Sequence, residues 1–127
     1  MHIYDIYGSY AEEGSLITDS LENMFGVKFS SHESEHFGEY FLAQTSKGGF
    51  FKILRNLSGE EWHEEEYKNF PWIIRTGEFF DADMVFHKMK AFKNITFLYR
   101  SEVKEKEWMR RYKYTGEMFE LLDEFRF

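Results

Sequence analysis

Apolar and polar positions alternate in several short runs of this chain and recur at helical spacing in others, and the two periods predict different elements. Residues 2–7, HIYDIY, are β-prone and end at Gly8, which predicts a first strand. Leu16, Ile17, Leu21, Met24 and Phe25 recur at spacings of three and four, so a helix is expected from an N-cap at Ser15 through Phe25, with Gly26 as its stop. Val27 to Ser31 reads as extended. Gly38 to Thr45 is a second strand-like run, then come the turn residues Ser46-Lys47-Gly48-Gly49 and a further run, FFKILRN. Two β-prone runs around Gly-Gly predict a hairpin.

Ser58-Gly59-Glu60-Glu61 matches a capping box and predicts a short helical turn. Pro71 closes that segment, and WIIRT after it reads as a buried strand. Asp81 or Asp83 then caps a helix to about Phe92, with Val85, Met89 and Phe92 inward. Asn94 precedes another strand, ITFLYR. From Thr115 the positions of Met118, Phe119, Leu122 and Phe125 line one face of an expected amphipathic helix. The predicted order is β-α-β-β-β-α-β-α. It implies an α+β fold, one mixed or antiparallel sheet with helices packed on it, with residues 101–127 as a helical C-terminal extension.

Length and composition narrow this picture. At 127 residues with one proline, no linker divides the chain, and a single domain over 1–127 is expected. The aromatic share of 20% excludes a disordered tail and leaves rings to spare for a binding face. With no cysteine, disulfides, thiolate metal sites and thiol nucleophiles are excluded. MHIYDIYGSY lacks the basic-then-apolar order of a secretory leader, and no stretch approaches the roughly 20 apolar residues of a membrane span. A cytoplasmic protein without membrane contact is therefore expected.

The net charge of −7 is unevenly placed. Residues 1–39 hold eight acids and one lysine, and EEWHEEE at 60–66 adds five acids. KEKEWMRRYK at 104–113 holds five bases against two acids. Such a chain repels phosphate backbones, which argues against nucleic acid, and attracts basic proteins.

Two segments carry candidate chemistry. His32-Glu33-Ser34-Glu35-His36 matches H-E-x-x-H, in which two His on one helical face hold zinc and the Glu polarises a bound water. That reading would make His32, His36 and Glu33 the centre of a small hydrolase, with Glu60, Glu61, Glu64 or His63 as a third ligand. The flanking Phe29-Ser30-Ser31 and Phe37-Gly38 favour extended chain instead. The two imidazoles would then stand about 13 Å apart, from a rise of ~3.3 Å per residue, so no metal is expected. No G-x-S-x-G elbow and no phosphate loop is present. In the second segment Trp62 sits among Glu60, Glu61, Glu64, Glu65 and Glu66, the composition of an interface anchor with a charged rim or, equally, of a partly buried Trp that covers the sheet edge.

Ser31-His32-Glu33-Ser34 followed by Gly38-Glu39-Tyr40-Phe41 resembles small bacterial immunity proteins that protect cells against contact-dependent and other polymorphic toxins. FFKILRN ending at Asn56, GEEWHEEE, Phe70-Pro71-Trp72-Ile73-Ile74 and ITFLYR ending at Arg100 are similar too, so the resemblance spans about residues 2–100. It implies a non-enzymatic inhibitor, without cofactor, of a basic and often nucleolytic toxin domain. The contacts it implies are Glu60, Glu61, Trp62, Glu64, Glu65 and Glu66, with Glu33, Glu35 and Glu39. A homodimer through the C-terminal helix is a further expectation.

Overall fold

Strict alternation sets the centre of the molecule. In β1 (His2–Ser9) Asp5, Tyr7 and Ser9 face one side of a sheet, and Tyr4, Ile6 and Gly8 the other. In the computed structural model, which describes residues 1–127, this first strand is paired on both sides. After it come α1 (Gly14–Phe25), β2 (Ser30–Ser34), β3 (Gly38–Gln44), β4 (Phe50–Arg55), β5 (Leu57–Ser58) and β6 (Glu61–Trp62). A 3-10 turn (Glu65–Tyr67), β7 (Trp72–Gly77), α2 (Ala82–Met89), β8 (Ile95–Lys104), β9 (Trp108–Tyr114) and β10 (Phe119–Arg126) complete the chain.

Eight strands form one antiparallel sheet in the order β10-β9-β8-β1-β7-β4-β3-β2, and β5 and β6 make a separate two-stranded ribbon. The fold is therefore mainly β. This corrects the α+β expectation: only two helices form, and the predicted C-terminal helix is the edge strand β10, paired with β9. The reason is pairing with β9. The register shifts between Leu121 and Asp123, so Phe119 lies opposite Tyr114 on the helix side while Phe125 lies opposite Met109 on the other face, and the helix-like spacing corresponds to no single apolar face of the strand. Opposite charges stitch the pair: Arg111 Nε donates to Asp123 at 3.0 Å and Arg110 Nε to Glu124 at 3.0 Å.

The capping-box segment is corrected as well. Gly59 adopts φ 61° and the chain turns back as the β5–β6 ribbon instead of a helix. Helix α1 starts at Gly14 after Glu13 without a side-chain cap, not at Ser15, and it ends as expected on Gly26, φ 64°, whose N–H donates to the Glu22 carbonyl at 2.9 Å. In α2, Asp81 is the cap and accepts from the Met84 N–H at 3.0 Å. The helix ends at Met89, short of Phe92.

Both helices lie on one face of the sheet. Ile17, Leu21, Val85, Phe86 and Met89 pack there against Tyr7, Phe51, Ile53, Trp72 and Ile74. A buried ion pair ties this side together: Arg100 donates to both Asp5 oxygens, at 2.7 and 3.0 Å, and to Asp83 of α2 at 2.6 Å. Its guanidinium also lies 4.0 Å from the centre of the Phe119 ring. The opposite face carries a smaller cluster of Ile6, Leu54, Phe70, Ile73 and Leu98. Gly8 permits it, because any Cβ there would meet the Phe70 ring at 2.5 Å. Phe70 belongs to the segment 56–71, which covers one end of this face and leaves the rest open. No helix is long and apolar enough to cross a membrane.

Candidate functional site

The H-E-x-x-H residues lie on a β-hairpin. His32 is in mid-strand of β2, opposite Tyr40, with the two rings stacked at 5.4 Å and Ser30 Oγ 2.8 Å from Nε2. His36 is in the turn between β2 and β3, its ring 5.2 Å from that of His63. The helical turn on which the zinc motif depends is absent, and no group of three or more His, Asp or Glu side chains is arranged to hold a metal ion. Glu33 and Glu39 are register partners across this hairpin, both exposed. Like charges directly opposed weaken a strand pair.

The second acidic segment is shaped by Asn56, which is fully buried at the end of β4. Its Nδ2 donates to the carbonyls of Tyr67 at 2.9 Å and Phe70 at 3.1 Å, with a longer contact to that of Glu64, and its Oδ1 accepts from the Glu64 N–H at 2.8 Å. The amide thus replaces a strand ladder for the irregular chain that follows. It also separates residues that the sequence groups together. Glu64 is buried and accepts the hydroxyl of Tyr99 on the open face, so it is not a surface contact. Burial first, and then this carboxylate, push the Tyr99 hydroxyl well above the usual phenol range. Glu65 pairs with Lys68 at 3.8 Å and Glu66 lies 3.9 Å from Arg111, both exposed. Trp62 is half-buried, with Lys68 Nζ 5.8 Å from its ring.

The β2–β3 turn meets the β5–β6 segment directly. The ring of Phe37 lies 5.3 Å from that of His63, and the Cβ position of Gly38 is 3.2 Å from Ser58 Oγ. Burial, followed by the charges of Arg75 and His36, draws the His63 imidazole below its usual range, so it is neutral at pH 7. The fold therefore brings the turn that carries Glu35 against the segment of Glu60 and Glu61, and sets Glu33 and Glu39 at the same end of that hairpin, on its helix-side face. All five carboxylates are exposed, and none makes an ion pair or a side-chain hydrogen bond.

Of the nine residues expected to contact a partner, five stand as unpaired charges around this corner, Trp62 borders them, Glu65 and Glu66 are partly neutralised, and Glu64 is withdrawn. Sequence reasoning missed the clamp at Asn56, although an Asn closing an apolar strand is a visible signal. It also missed Lys52 and Arg75 on the open face, two cations facing each other from strands that the sequence does not show to be neighbours. On the other side of the sheet, Phe25, Phe79, Phe80 and Met84 border an apolar groove of about 360 Å³ between the helices. No known protein family and no curated protein sequence matches this chain.

Proposed function

We propose that this chain is a binding protein of the immunity type, which neutralises a basic toxin domain by presenting the acidic corner to it. One observation carries the reading: two acidic segments far apart in sequence meet at one corner, and their five carboxylates have no partner within the chain. Keeping Glu33 opposite Glu39 costs the hairpin stability, a cost that a cationic partner reverses on binding. Uncompensated surface charge of one sign steers encounter with the opposite sign and raises association rates. Blocking a toxin in this way requires no catalytic group, only coverage of its active surface, with roughly 1,600 Å² buried in total for a standard interface.

The reading predicts a toxin domain encoded beside this chain, and the test is co-expression with it. Reversal of Glu33, Glu35, Glu39, Glu60 and Glu61 to lysine should slow association, flatten its salt dependence and abolish protection, while the thermal midpoint holds. Full protection by that variant would remove the corner from the mechanism.

A second reading has its own observation. The expected dimer helix is instead the edge strand β10, which exposes Leu121, Leu122 and Phe125 beside an open row of backbone donors and acceptors. Such an edge can pair with another strand, including that of a second copy. Light scattering over a concentration series decides it: a mass that doubles, and reverts in Leu122→Lys, supports a dimer, and a constant monomer mass ends the idea.

A further inference from the structure

The open face of the sheet carries a feature of opposite sign to the acidic corner. Lys52 on β4 and Arg75 on β7 are register partners near the middle of the sheet, so two like charges stand directly across from each other. Neither has an ion pair or a side-chain hydrogen bond, although the chain carries 23 acidic residues. Arg100, Arg110 and Arg111 each hold a carboxylate. Both central cations are half-buried, and burial together with the charge of Arg75 draws the Lys52 ammonium below its usual range. Phe37 offsets part of this on one side, its ring centre 4.4 Å from Lys52 Nζ and 5.9 Å from the Arg75 guanidinium.

On their other side the two cations border a hollow of about 310 Å³, walled by Tyr4, Phe50, Tyr99 and Met109. The tyrosine hydroxyls of that wall are already committed: Tyr4 donates to Glu78 at 2.6 Å and Tyr99 to Glu64. The wall therefore offers ring and thioether surface, and the cations supply the only uncommitted charges lining the hollow. A volume of this size falls at the lower end of the about 300–1,000 Å³ typical of small-ligand sites. A planar guanidinium beside an ammonium suits a carboxylate or phosphate.

We propose that this hollow binds a small aromatic anion, with its carboxylate or phosphate between Lys52 and Arg75 and its ring against Tyr4, Phe50 and Met109. The site faces away from both helices and uses none of the carboxylates of the acidic corner, so it stands independently of the toxin-binding reading.

The experiment is an NMR titration of the full chain, following the Arg75 Nε–H signal and the backbone amides of β4 and β7, with benzoate, phenyl phosphate and inorganic phosphate as separate probes. At least one aromatic probe should give saturable shifts, and the preferred one identifies the anion. Inorganic phosphate should bind about tenfold more weakly or worse, lacking the ring. Lys52→Met and Arg75→Gln should each weaken the aromatic probe by about tenfold or more, the loss of one charge-assisted contact. Lys52→Met keeps the aliphatic stem and removes the repulsion, so it should melt no lower than the parent, which separates lost binding from lost fold. Absence of saturable shifts with both aromatic probes, unchanged affinity in both variants, or inorganic phosphate binding as tightly as phenyl phosphate would each overturn the assignment.

Discussion

Replacing Arg100 with methionine probes the buried ion pair that joins β1, β8 and α2. Asp5 is 2% exposed and Arg100 6%, so removing the guanidinium leaves a carboxylate in the core without its cation. Orphaning one partner of a buried pair costs about 3–5 kcal/mol. The bond to Asp83 adds little, because that side chain is 66% exposed and such screened pairs contribute about 0–1 kcal/mol. Loss of the cation over Phe119 adds about 0.5–1 kcal/mol. The total expected at pH 7 is about 4–6 kcal/mol, a large part of the about 5–15 kcal/mol of a typical domain. Urea unfolding followed by the fluorescence of the buried Trp72 reads it, as a midpoint lower by about 2–3 M for a slope near 2 kcal/mol/M.

The pH dependence separates this explanation from simple loss of packing. Burial pushes the Asp5 carboxyl up, and Arg100 holds it down. Without Arg100 it rises further, so folding draws a proton onto Asp5. The penalty is then absent below the unfolded-state pKa of about 3.9 and grows as pH rises through the folded-state value. Arg100→Met should therefore regain stability between pH 7 and about pH 5, whereas a variant also carrying Asp5→Asn should start higher and lack that gain. A deficit below about 1 kcal/mol, or one equal to that of the double variant at both pH values, would refute the argument.

Asn56→Asp should destabilise at least as much as Asn56→Ala, because a carboxylate would face the carbonyls of Tyr67 and Phe70 that the amide now satisfies; thermal midpoints, and faster proteolysis within 57–71, check it. Tyr7→Phe should leave the melting temperature unchanged or raise it, since the hydroxyl is buried without a partner, whereas Tyr99→Phe should lower it by releasing Glu64. Hydrogen bonds from Tyr4 and then His2 hold the Glu78 carboxyl below its usual range, so its contribution is full above the unfolded-state value and fades as pH falls through the folded one. The urea midpoint of Glu78→Gln should accordingly trail the parent at pH 7, with the gap narrowing as pH falls below the unfolded-state value of about 4.3, and a gap that does not narrow would count against the assignment.

The first strand, the hairpin around Ser46–Gly49, WIIRT and the Asp81-capped helix were legible because each is specified by residues close in sequence. The C-terminal strands were not. Met118, Phe119, Leu122 and Phe125 fit a helical face, and the pairing that makes them a strand depends on β9. A signal was nonetheless present: bases at 110, 111 and 113 and acids at 120, 123 and 124 are placed on either side of Thr115–Glu117, and they face one another in the register. At the acidic corner the residues were legible but their fates were not. Glu64 looks like its neighbours until Tyr99, 35 positions later, is found beneath it.

The place of β1 in the sheet bears on how the chain is made. Both wings, β2–β3–β4 and β8–β9–β10, close through short local turns, but β1 pairs Tyr4 with Gly77 and Asp5 with Arg100. During folding β1 is thus the strand whose two neighbours lie farthest off along the chain, 73 positions away on one side (Tyr4 to Gly77) and 95 on the other (Asp5 to Arg100), and it gains both only after the segments between have folded back. Such distant pairings make assembly slow and leave apolar surface bare in the meantime, so early interception by a chaperone would matter more to this protein's yield than the strength of its finished sheet.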